Sequence, residues 1–311
     1  MSAGLFRSYQ RGWPGRRDVG AHLRRWSSTA SSGSFFRRPL PTQLTSYNSQ
    51  EGRLRFRESL AAGTCDAFFP LSEVFNTQDE PAFCGVSSLC MVLNALQIDP
   101  GPTRPAWRTS VWRWFDEQVL DLGEGGSLLQ HGKSNLADIA EQGITLTEFG
   151  TLAEQNGAKV RVLRPEQTNE EAFRQEVIRS ASSADASGPY CVVAFARRTL
   201  GQTGDGHFSP IAAYHAATDS ALVLDTARFK YPSYWVSTSL LWQAMKPVDS
   251  VTGQSRGFAL LEAQPTCPAW VLLKEEQDRA ALSAIACALE ATACCQGSTA
   301  GCDGLSSSGR G

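Results

Sequence analysis

The chain lacks any apolar run that approaches the roughly 20 residues a membrane-spanning helix requires. It also lacks the apolar segment of a secretory signal, so its nine cysteines do not indicate a disulfide framework. No Cys-x-x-Cys pair occurs among them, which argues against a closed tetrahedral zinc site. No internal repeat is visible. We therefore expect neither a membrane partner, nor a secreted disulfide scaffold, nor a repeat protein.

Charge is nearly balanced overall but unevenly distributed. The chain has 29 Lys and Arg against 31 Asp and Glu, a formal net charge of −2. The first 50 residues hold eight arginines and a single acid, Asp18, so the remainder is distinctly acidic. A basic surface for nucleic acid is therefore not expected on the body of the protein.

Residues 1–38 have the composition of a targeting segment. Arginine alternates there with Ser, Trp, Phe and Leu, and acids are almost absent. Arg-rich, Ser-rich and acid-poor segments are typical of organellar presequences, and residues 24–28 would suit a mitochondrial processing site. The prediction is mitochondrial or other organellar import. The alternative is a disordered basic tail on a cytoplasmic protein.

A cysteine that opens a helix-like run is the first candidate for chemistry. Apolar residues recur after Cys84 with a period close to 3.6, which predicts a helix over 84–97. The unpaired amides and positive dipole end at its N-terminus would favour the reactive thiolate. Gln78 could cradle an oxyanion together with the Cys84 amide, and Gly85 would leave room for substrate. The alternative is an inert cysteine buried under a core helix.

A predicted hairpin supplies the groups that would activate this thiol. Two short apolar runs, 208–214 and 221–224, flank a polar stretch and indicate antiparallel strands. His207 begins the first strand and Asp225 follows the second, so the two side chains should face each other. A cysteine, a histidine and a carboxylate in this order predict a nucleophile, its base and the group that orients the base. Taken singly, His207 and Asp225 could equally be turn or cap residues.

Further helices and strands complete an α+β pattern. Helices are predicted at 50–62, 134–142, 147–156 and 169–180, and further strands at 160–163, 191–196 and 257–261. Helices thus come mainly first and an antiparallel sheet later.

Five blocks of sequence resemble the phytochelatin synthases. They are residues 77–85, 92–96 with 99–101, 112–117, 204–210 and 224–232, in the family's order. The resemblance covers about 39–263 and implies a papain-like catalytic domain, with a helical lobe bearing the Cys and an antiparallel sheet bearing His and Asp. It implies that Cys84 is the nucleophile, His207 the general base, Asp225 the orienting acid and Gln78 the oxyanion-hole side chain.

The resemblance also implies an activity. Phytochelatin synthases form a γ-Glu-Cys thioester from glutathione, release glycine, and transfer the dipeptide to another glutathione or phytochelatin, giving peptides that chelate heavy metals. No organic cofactor is expected; Cd²⁺, Zn²⁺ or Cu⁺ would act as glutathione thiolate complexes. Hydrolysis of glutathione to γ-Glu-Cys and Gly is the nearest alternative, and a non-catalytic thiol-rich metal binder a more distant one. A homodimer is among the assemblies left open.

Substrate-binding candidates follow from position and from the resemblance. Arg228, Lys230 and Tyr231 come directly after Asp225, so we expect them to help hold substrate carboxylates. Asp249 and Arg256 resemble the family's clamp for the γ-glutamyl amine and carboxylate. A planar guanidinium suits a carboxylate particularly well because it binds in a bidentate manner.

Residues 264–311 form a short cysteine-bearing tail. A helix is predicted at 274–295, followed by a Gly/Ser-rich end. The family carries a variable C-terminal region that binds metal thiolates, which makes four cysteines weak metal candidates: Cys287, Cys294, Cys295 and Cys302. An amphipathic helix with incidental buried cysteines is the alternative.

Overall fold

The structure, a computed structural model, describes residues 37–101, 113–184 and 186–264. The predicted presequence lies outside these residues apart from its last two positions. The predicted tail, with Cys287, Cys294, Cys295 and Cys302, lies outside them apart from Gln264. Among the described residues, no helix combines the length and apolarity needed to cross a membrane.

Seven α-helices form within the described part of the chain. They are α1 (Gln50–Ala61), α2 (Phe68–Glu73), α3 (Cys84–Ala95), α4 (Leu136–Gln142), α5 (Leu146–Gln155), α6 (Glu170–Ala181) and α7 (Thr238–Met245). The five helices predicted within these residues are confirmed to within a few residues at each end. The sequence did not predict α2 and α7.

Side chains that accept amide hydrogen bonds determine where several helices begin. Thr145 and Glu148 form a reciprocal capping box at α5, and Asn169 accepts from Ala172 at α6. Gly143 ends α4 with φ of +70°, a backbone conformation that favours glycine. These local signals were readable from sequence, which is why the boundaries agree.

Seven strands form one antiparallel sheet in the described residues. They are β1 (Thr45–Ser46), β2 (Ala158–Leu163), β3 (Tyr190–Ala196), β4 (Gly206–His215), β5 (Ser220–Val223), β6 (Tyr234–Ser237) and β7 (Gly257–Ala263), in the order β1-β6-β5-β4-β3-β7-β2. The predicted hairpin is β4 with β5, in which Ile211 lies opposite Val223 and His215 opposite Ser220. The strand β6 was not predicted, because its four residues are followed directly by a helix and are too few to show an alternating apolar pattern.

Helices cover both faces of the sheet. Alternate residues of the buried strand β3 enter two different cores: Tyr190, Val192 and Ala194 face the core that holds α3 and α5, while Cys191, Val193 and Phe195 face the core that holds α6 and α7. The α+β class is confirmed. The expected order of helices first and sheet later was too simple, because α6 and α7 are interspersed among the strands and cover the second face.

The contact between α3 and β4 positions the candidate site. Helix α3 is apolar or small on almost every side and is buried along nearly its whole length. The Ser88 hydroxyl donates to the Phe208 carbonyl oxygen at 3.2 Å, which anchors the helix to the first residues of β4. The N-terminus of α3 is therefore held beside the start of β4.

Candidate active site

Cys84 is the first residue of α3 and is partly exposed. Its backbone amide belongs to the first turn, where the N–H groups have no intrahelical partner. These amides and the positive end of the helix dipole lie at the same end of α3 as the Cys84 side chain. The position suits a thiolate and a developing oxyanion.

His207 and Asp225 meet at one end of the sheet. His207 is the second residue of β4, and Asp225 follows two residues after the last residue of β5. Both are buried, and His207 Nε2 lies 2.9 Å from Asp225 Oδ1. At this distance the two side chains form an ion pair. The carboxylate oxygen does not lie along the direction of the ring N–H bond, so the contact is not a well-aligned hydrogen bond. Cys84 and His207 line the same cleft, so the structure brings the three predicted residues together.

Arg197, which follows β3, clamps the carboxylate of Asp225. Its Nη1 donates to Asp225 Oδ2 and its Nη2 to Asp225 Oδ1, both at 2.9 Å, in a bidentate pair that is almost fully buried. Nη1 also donates to Gln202 Oε1 at 2.6 Å, and the Ala227 amide donates to Asp225 Oδ1 at 3.0 Å. Asp225 is thereby held in one orientation against His207. The sequence interpretation missed Arg197.

Electrostatics at this cluster favour a thiolate–imidazolium pair. Burial alone would raise the pKa of Cys84, but the charge and hydrogen bond of His207, the Phe208 amide and the charge of Arg197 together lower it. Burial and Arg197 disfavour charged His207, yet Asp225 and Cys84 outweigh them and raise the pKa of the imidazole. Burial opposes ionisation of Asp225, but His207 and Arg197 bring its pKa well below the usual range.

Two other described cysteines, Cys65 and Cys191, have raised pKa values. Burial, with a smaller contribution from Asp66, raises the pKa of Cys65 to about 12. Burial also raises the pKa of Cys191 strongly. The low pKa of Cys84 is therefore a property of its position beside His207 and not of cysteines in this fold.

Gln78 lies close to Cys84 along the chain, but its amide is engaged within its own loop. Nε2 donates to the carbonyl oxygens of Glu80 and Pro81, both at 2.9 Å, and Oε1 accepts from the Thr226 hydroxyl at 3.0 Å. The side chain is 2% exposed. It orders the loop that leads into Cys84, and it would have to release one carbonyl in order to donate to an oxyanion.

Gly85 provides room for a neighbouring side chain. A Cβ at this position would lie 2.5 Å from Cγ1 of Ile144, which is itself part of the cleft wall. The sequence interpretation assigned this space to substrate. In the structure the side chain of Ile144 occupies this space. Gly85 therefore allows Ile144 to form part of the cleft wall.

A cleft of about 280 Å³ opens beside Cys84 and His207. Its charged lining comprises two arginines and two acids, Arg164, Arg256, Asp205 and Asp249. Arg256 Nη1 donates to the carbonyl oxygens of Pro247 and Val248, so the guanidinium is fixed from behind. The predicted pair Asp249 and Arg256 therefore lines the cleft, and two charged residues that were not predicted, Arg164 and Asp205, join it.

Three of the predicted substrate-binding residues, Arg228, Lys230 and Tyr231, lie away from the cleft at Cys84. The guanidinium of Arg228 stacks 4.7 Å from the ring centroid of Phe75 and lines a second cavity. The Tyr231 hydroxyl accepts from the Thr203 amide at 3.0 Å, and its ring lies under Arg197. Lys230 packs over Gly204. None of the three lines the cleft at Cys84; Tyr231 supports the Arg197 clamp.

No group of three or more His, Cys, Asp or Glu side chains in the described residues is arranged to hold a metal ion. The cysteines proposed as weak metal ligands lie outside those residues.

Comparison with known proteins identifies the family. The family model described as phytochelatin synthase matches residues 35–258, which is most of the chain. The chain belongs to the phytochelatin synthase family. This match includes every residue of the cluster, from Gln78 to Asp225.

Relatives in plants and yeast carry the name glutathione gamma-glutamylcysteinyltransferase. Over 236 residues the chain is 45% identical to glutathione gamma-glutamylcysteinyltransferase 1 from Triticum aestivum. Over 229 residues it is 44% identical to the protein of the same name from Arabidopsis thaliana. It is 40% identical over 229 residues to the Schizosaccharomyces pombe protein. These alignments cover 76%, 73% and 74% of this chain, but 44%, 44% and 51% of the respective relatives. The chain spans about half the length of these relatives.

The first prediction concerns the acidity of Cys84. Because its pKa is lowered, the thiolate should persist to a pH below that of an ordinary thiol, and alkylation by iodoacetamide should stay fast there. His207→Ala removes the lowering charge and should move the pH profile of Cys84 alkylation towards higher pH. Peptide mass spectrometry can follow Cys84 against Cys65 and Cys191, which should stay unmodified. Superimposable profiles for the wild type and His207→Ala would contradict the ion pair.

The second prediction concerns Arg197. Arg197→Met leaves the buried carboxylate of Asp225 without its main partner, which should cost about 3–5 kcal/mol of unfolding free energy. Arg197→Lys keeps the charge but loses the bidentate geometry, so it should fold and show a higher apparent pKa of Cys84. The control is Arg198→Met, because Arg198 is the exposed neighbour. An unchanged melting temperature and alkylation profile in Arg197→Met would refute the role of the clamp.

Proposed function

We propose that this chain is an acyltransferase that cleaves glycine from glutathione and transfers the γ-Glu-Cys unit to the amine of another glutathione or phytochelatin. The observation that carries the proposal is the Cys84–His207–Asp225 cluster at the N-terminus of α3, opening on a cleft that holds charges of both signs. Membership of the phytochelatin synthase family supports the same reaction. The arrangement of Cys on a helix and His and Asp on an antiparallel sheet is the papain-like plan.

The charges of glutathione match the lining of the cleft. At neutral pH the tripeptide carries two carboxylates and one ammonium group. Arg164 and Arg256 can take carboxylates, and Asp205 and Asp249 can take the ammonium. The apolar wall formed by Ile144 and Phe208 faces the remainder of the peptide. This complementarity favours a small zwitterionic peptide over an apolar ligand.

In the first half-reaction, the Cys84 thiolate attacks the carbonyl carbon of the Cys–Gly peptide bond. The oxyanion forms beside the unpaired amides at the N-terminus of α3. As the C–N bond breaks, the His207 imidazolium gives its proton to the departing glycine amine. A γ-Glu-Cys thioester remains on Cys84, and His207 is left neutral.

In the second half-reaction, the free α-amine of another glutathione attacks the thioester carbonyl. Neutral His207 accepts the proton of the attacking amine, and the C–S bond breaks to regenerate the Cys84 thiolate. The product is γ-Glu-Cys-γ-Glu-Cys-Gly. Throughout, Asp225 stabilises the imidazolium and holds its orientation, because Arg197 fixes the carboxylate.

Metal ions enter this proposal as part of the substrate. Soft ions such as Cd²⁺ or Cu⁺, and also Zn²⁺, bind the thiolate of glutathione. A thiolate that is already bound to metal leaves the peptide carbonyl and the α-amine available for the two half-reactions. No resident metal in the described residues is needed for any step.

The third prediction tests the reaction directly. Purified protein incubated with glutathione, with and without Cd²⁺, should release glycine and yield γ-Glu-Cys-γ-Glu-Cys-Gly by mass spectrometry. Cys84→Ser should abolish both products, whereas Cys90→Ala should keep most of the activity because Cys90 is buried six residues further along α3. Release of free γ-Glu-Cys without longer peptides would show that water is the acceptor. Turnover by Cys84→Ser would overturn the mechanism.

The fourth prediction concerns Gln78. Gln78→Ala removes three hydrogen bonds and one candidate oxyanion donor, so kcat for glycine release should fall by roughly 10²–10³ with little change in KM. The melting temperature should also fall, because the loop before Cys84 loses its internal bonds. Thr226→Ser is the control, since it keeps the hydroxyl that donates to Gln78. A lower melting temperature with unchanged kcat would limit Gln78 to loop structure.

A further inference from the structure

A buried lysine–glutamate pair lies outside the catalytic cluster. Lys133 Nζ lies 2.7 Å from Glu148 Oε2, and the two side chains are 2% and 0% exposed. Glu148 Oε1 accepts from the amide of Gln130 at 2.6 Å, so both carboxylate oxygens are engaged. Because both charges must be desolvated, a buried ion pair is often no more stabilising than an apolar pair of the same volume. Stability is therefore a weak reason for its presence.

The pair holds the turn between α4 and α5. Lys133 Nζ also donates to the carbonyl oxygen of Gly143 at 3.2 Å, and Glu148 Oε2 accepts from the amide of Thr145 at 2.7 Å. Ile144 lies between these two anchored residues. One ammonium and one carboxylate thus fix the backbone on either side of Ile144.

This turn packs against the segment that carries the nucleophile. A Cβ added to Gly143 would lie 3.3 Å from the carbonyl oxygen of Ala82, and one added to Gly85 would lie 2.5 Å from Ile144 Cγ1. Ala82 precedes Cys84 by two residues, and Gly85 follows it directly. Gly143 and Ile144 line the cleft together with Cys84. The position of the turn therefore sets the width of the cleft beside the sulfur.

We propose that Lys133 is a positioning residue that, with Glu148, fixes Ile144 in the cleft wall and so limits the size of the groups that reach Cys84. Lys133 acts from behind the wall, because Ile144 lines the cleft and Lys133 does not. The proposal does not depend on the identity of the acyl donor. In the proposed function, the same wall lies beside the peptide that Cys84 attacks.

This role is distinct from control of the acidity of Cys84. The groups that lower the pKa of this thiol are His207, the Phe208 amide and Arg197. The buried pair carries one positive and one negative charge only 2.7 Å apart, so its net field at the sulfur is small. Changing the pair should therefore alter access to Cys84 and leave the pH dependence of its alkylation in place.

The experiment compares two reagents that share one electrophile and differ in bulk, N-methylmaleimide and N-cyclohexylmaleimide. Rate constants for modification of Cys84 are measured by peptide mass spectrometry. Lys133→Met is combined with Glu148→Gln, because the lysine change alone would leave a buried carboxylate without its cation. Glutamine at position 148 is compatible with the capping box of α5.

Release of the turn should favour the bulky reagent. In the Lys133→Met, Glu148→Gln variant, Ile144 can move away from Cys84, so the ratio of the bulky to the small rate constant should rise by roughly tenfold, as expected for relief of a modest steric clash. Ile144→Ala should raise the same ratio by itself. The two effects should not add, because the pair acts through Ile144.

A matched control removes a lysine–glutamate contact at the surface. Lys159 and Glu262 lie 3.0 Å apart outside the cleft lining, and Lys159→Met with Glu262→Gln should leave the ratio unchanged. Modification of the buried Cys65 and Cys191 in any variant would reveal global unfolding. Access to Cys84 is thereby separated from loss of the fold.

Three outcomes would overturn the proposal. The first is an unchanged ratio in the folded pair variant, and the second is an increase that adds fully to that of Ile144→Ala. The third is an unchanged ratio in Ile144→Ala, which would count against the proposal even if the pair variant did not fold. None of these measurements requires turnover. A wild type that released no glycine from glutathione would contradict the proposed function and leave this inference in place.

Discussion

The buried contact between Asp225 and its two cationic partners is the constraint on which the site depends. Asp225 is fully buried, and its charge is tolerable only because Arg197 and His207 lie against it. With the Cys84 thiolate, the cluster contains two positive and two negative charges. Transfer of the proton from Cys84 to His207 leaves this total at zero, and it places the imidazolium between two anions, the Asp225 carboxylate and the Cys84 thiolate. The four side chains come from the end of β3, the start of β4, the segment after β5 and the N-terminus of α3. The cluster therefore forms only when the strands are in register and α3 packs against β4.

The helices on both faces of the sheet help to keep the Arg197–Asp225 contact buried. A carboxylate and a guanidinium interact strongly only where water is excluded, and β3 provides this by burying residues on both faces. Tyr231 extends the protection by placing its ring under Arg197. A mutation in this region should therefore change the free energy of unfolding and the pKa of Cys84 together.

The sequence predicted the Cys84–His207–Asp225 cluster because the signals for its three residues are local. A cysteine at a helix start, and a His and an Asp flanking a hairpin, can be read from spacing, and the structure brings all three together. Arg197 could not be found in this way. It stands next to Arg198 at the end of an apolar strand, and only the fold shows that one of the two is buried against Asp225 while the other faces solvent. Likewise, the sequence showed a carboxamide six residues before Cys84, but it did not show that this amide donates to the carbonyl oxygens of Glu80 and Pro81.

The residues that line the cleft were the hardest to predict, because proximity along the chain was a poor guide to proximity in space. Arg228 and Lys230 follow Asp225 closely, yet the turn in which Lys230 donates to the Ala227 carbonyl carries them away from Cys84. The charges that do line the cleft come from distant segments: Arg164 after β2, Asp205 before β4, and Asp249 and Arg256 before β7. The catalytic cluster is fixed by buried ion pairs, whereas these cleft residues lie in loops at its rim. Since a rim residue such as Asp205 can change without removing a partner from the buried cluster, the charges that line the cleft can vary independently of the groups that lower the pKa of Cys84.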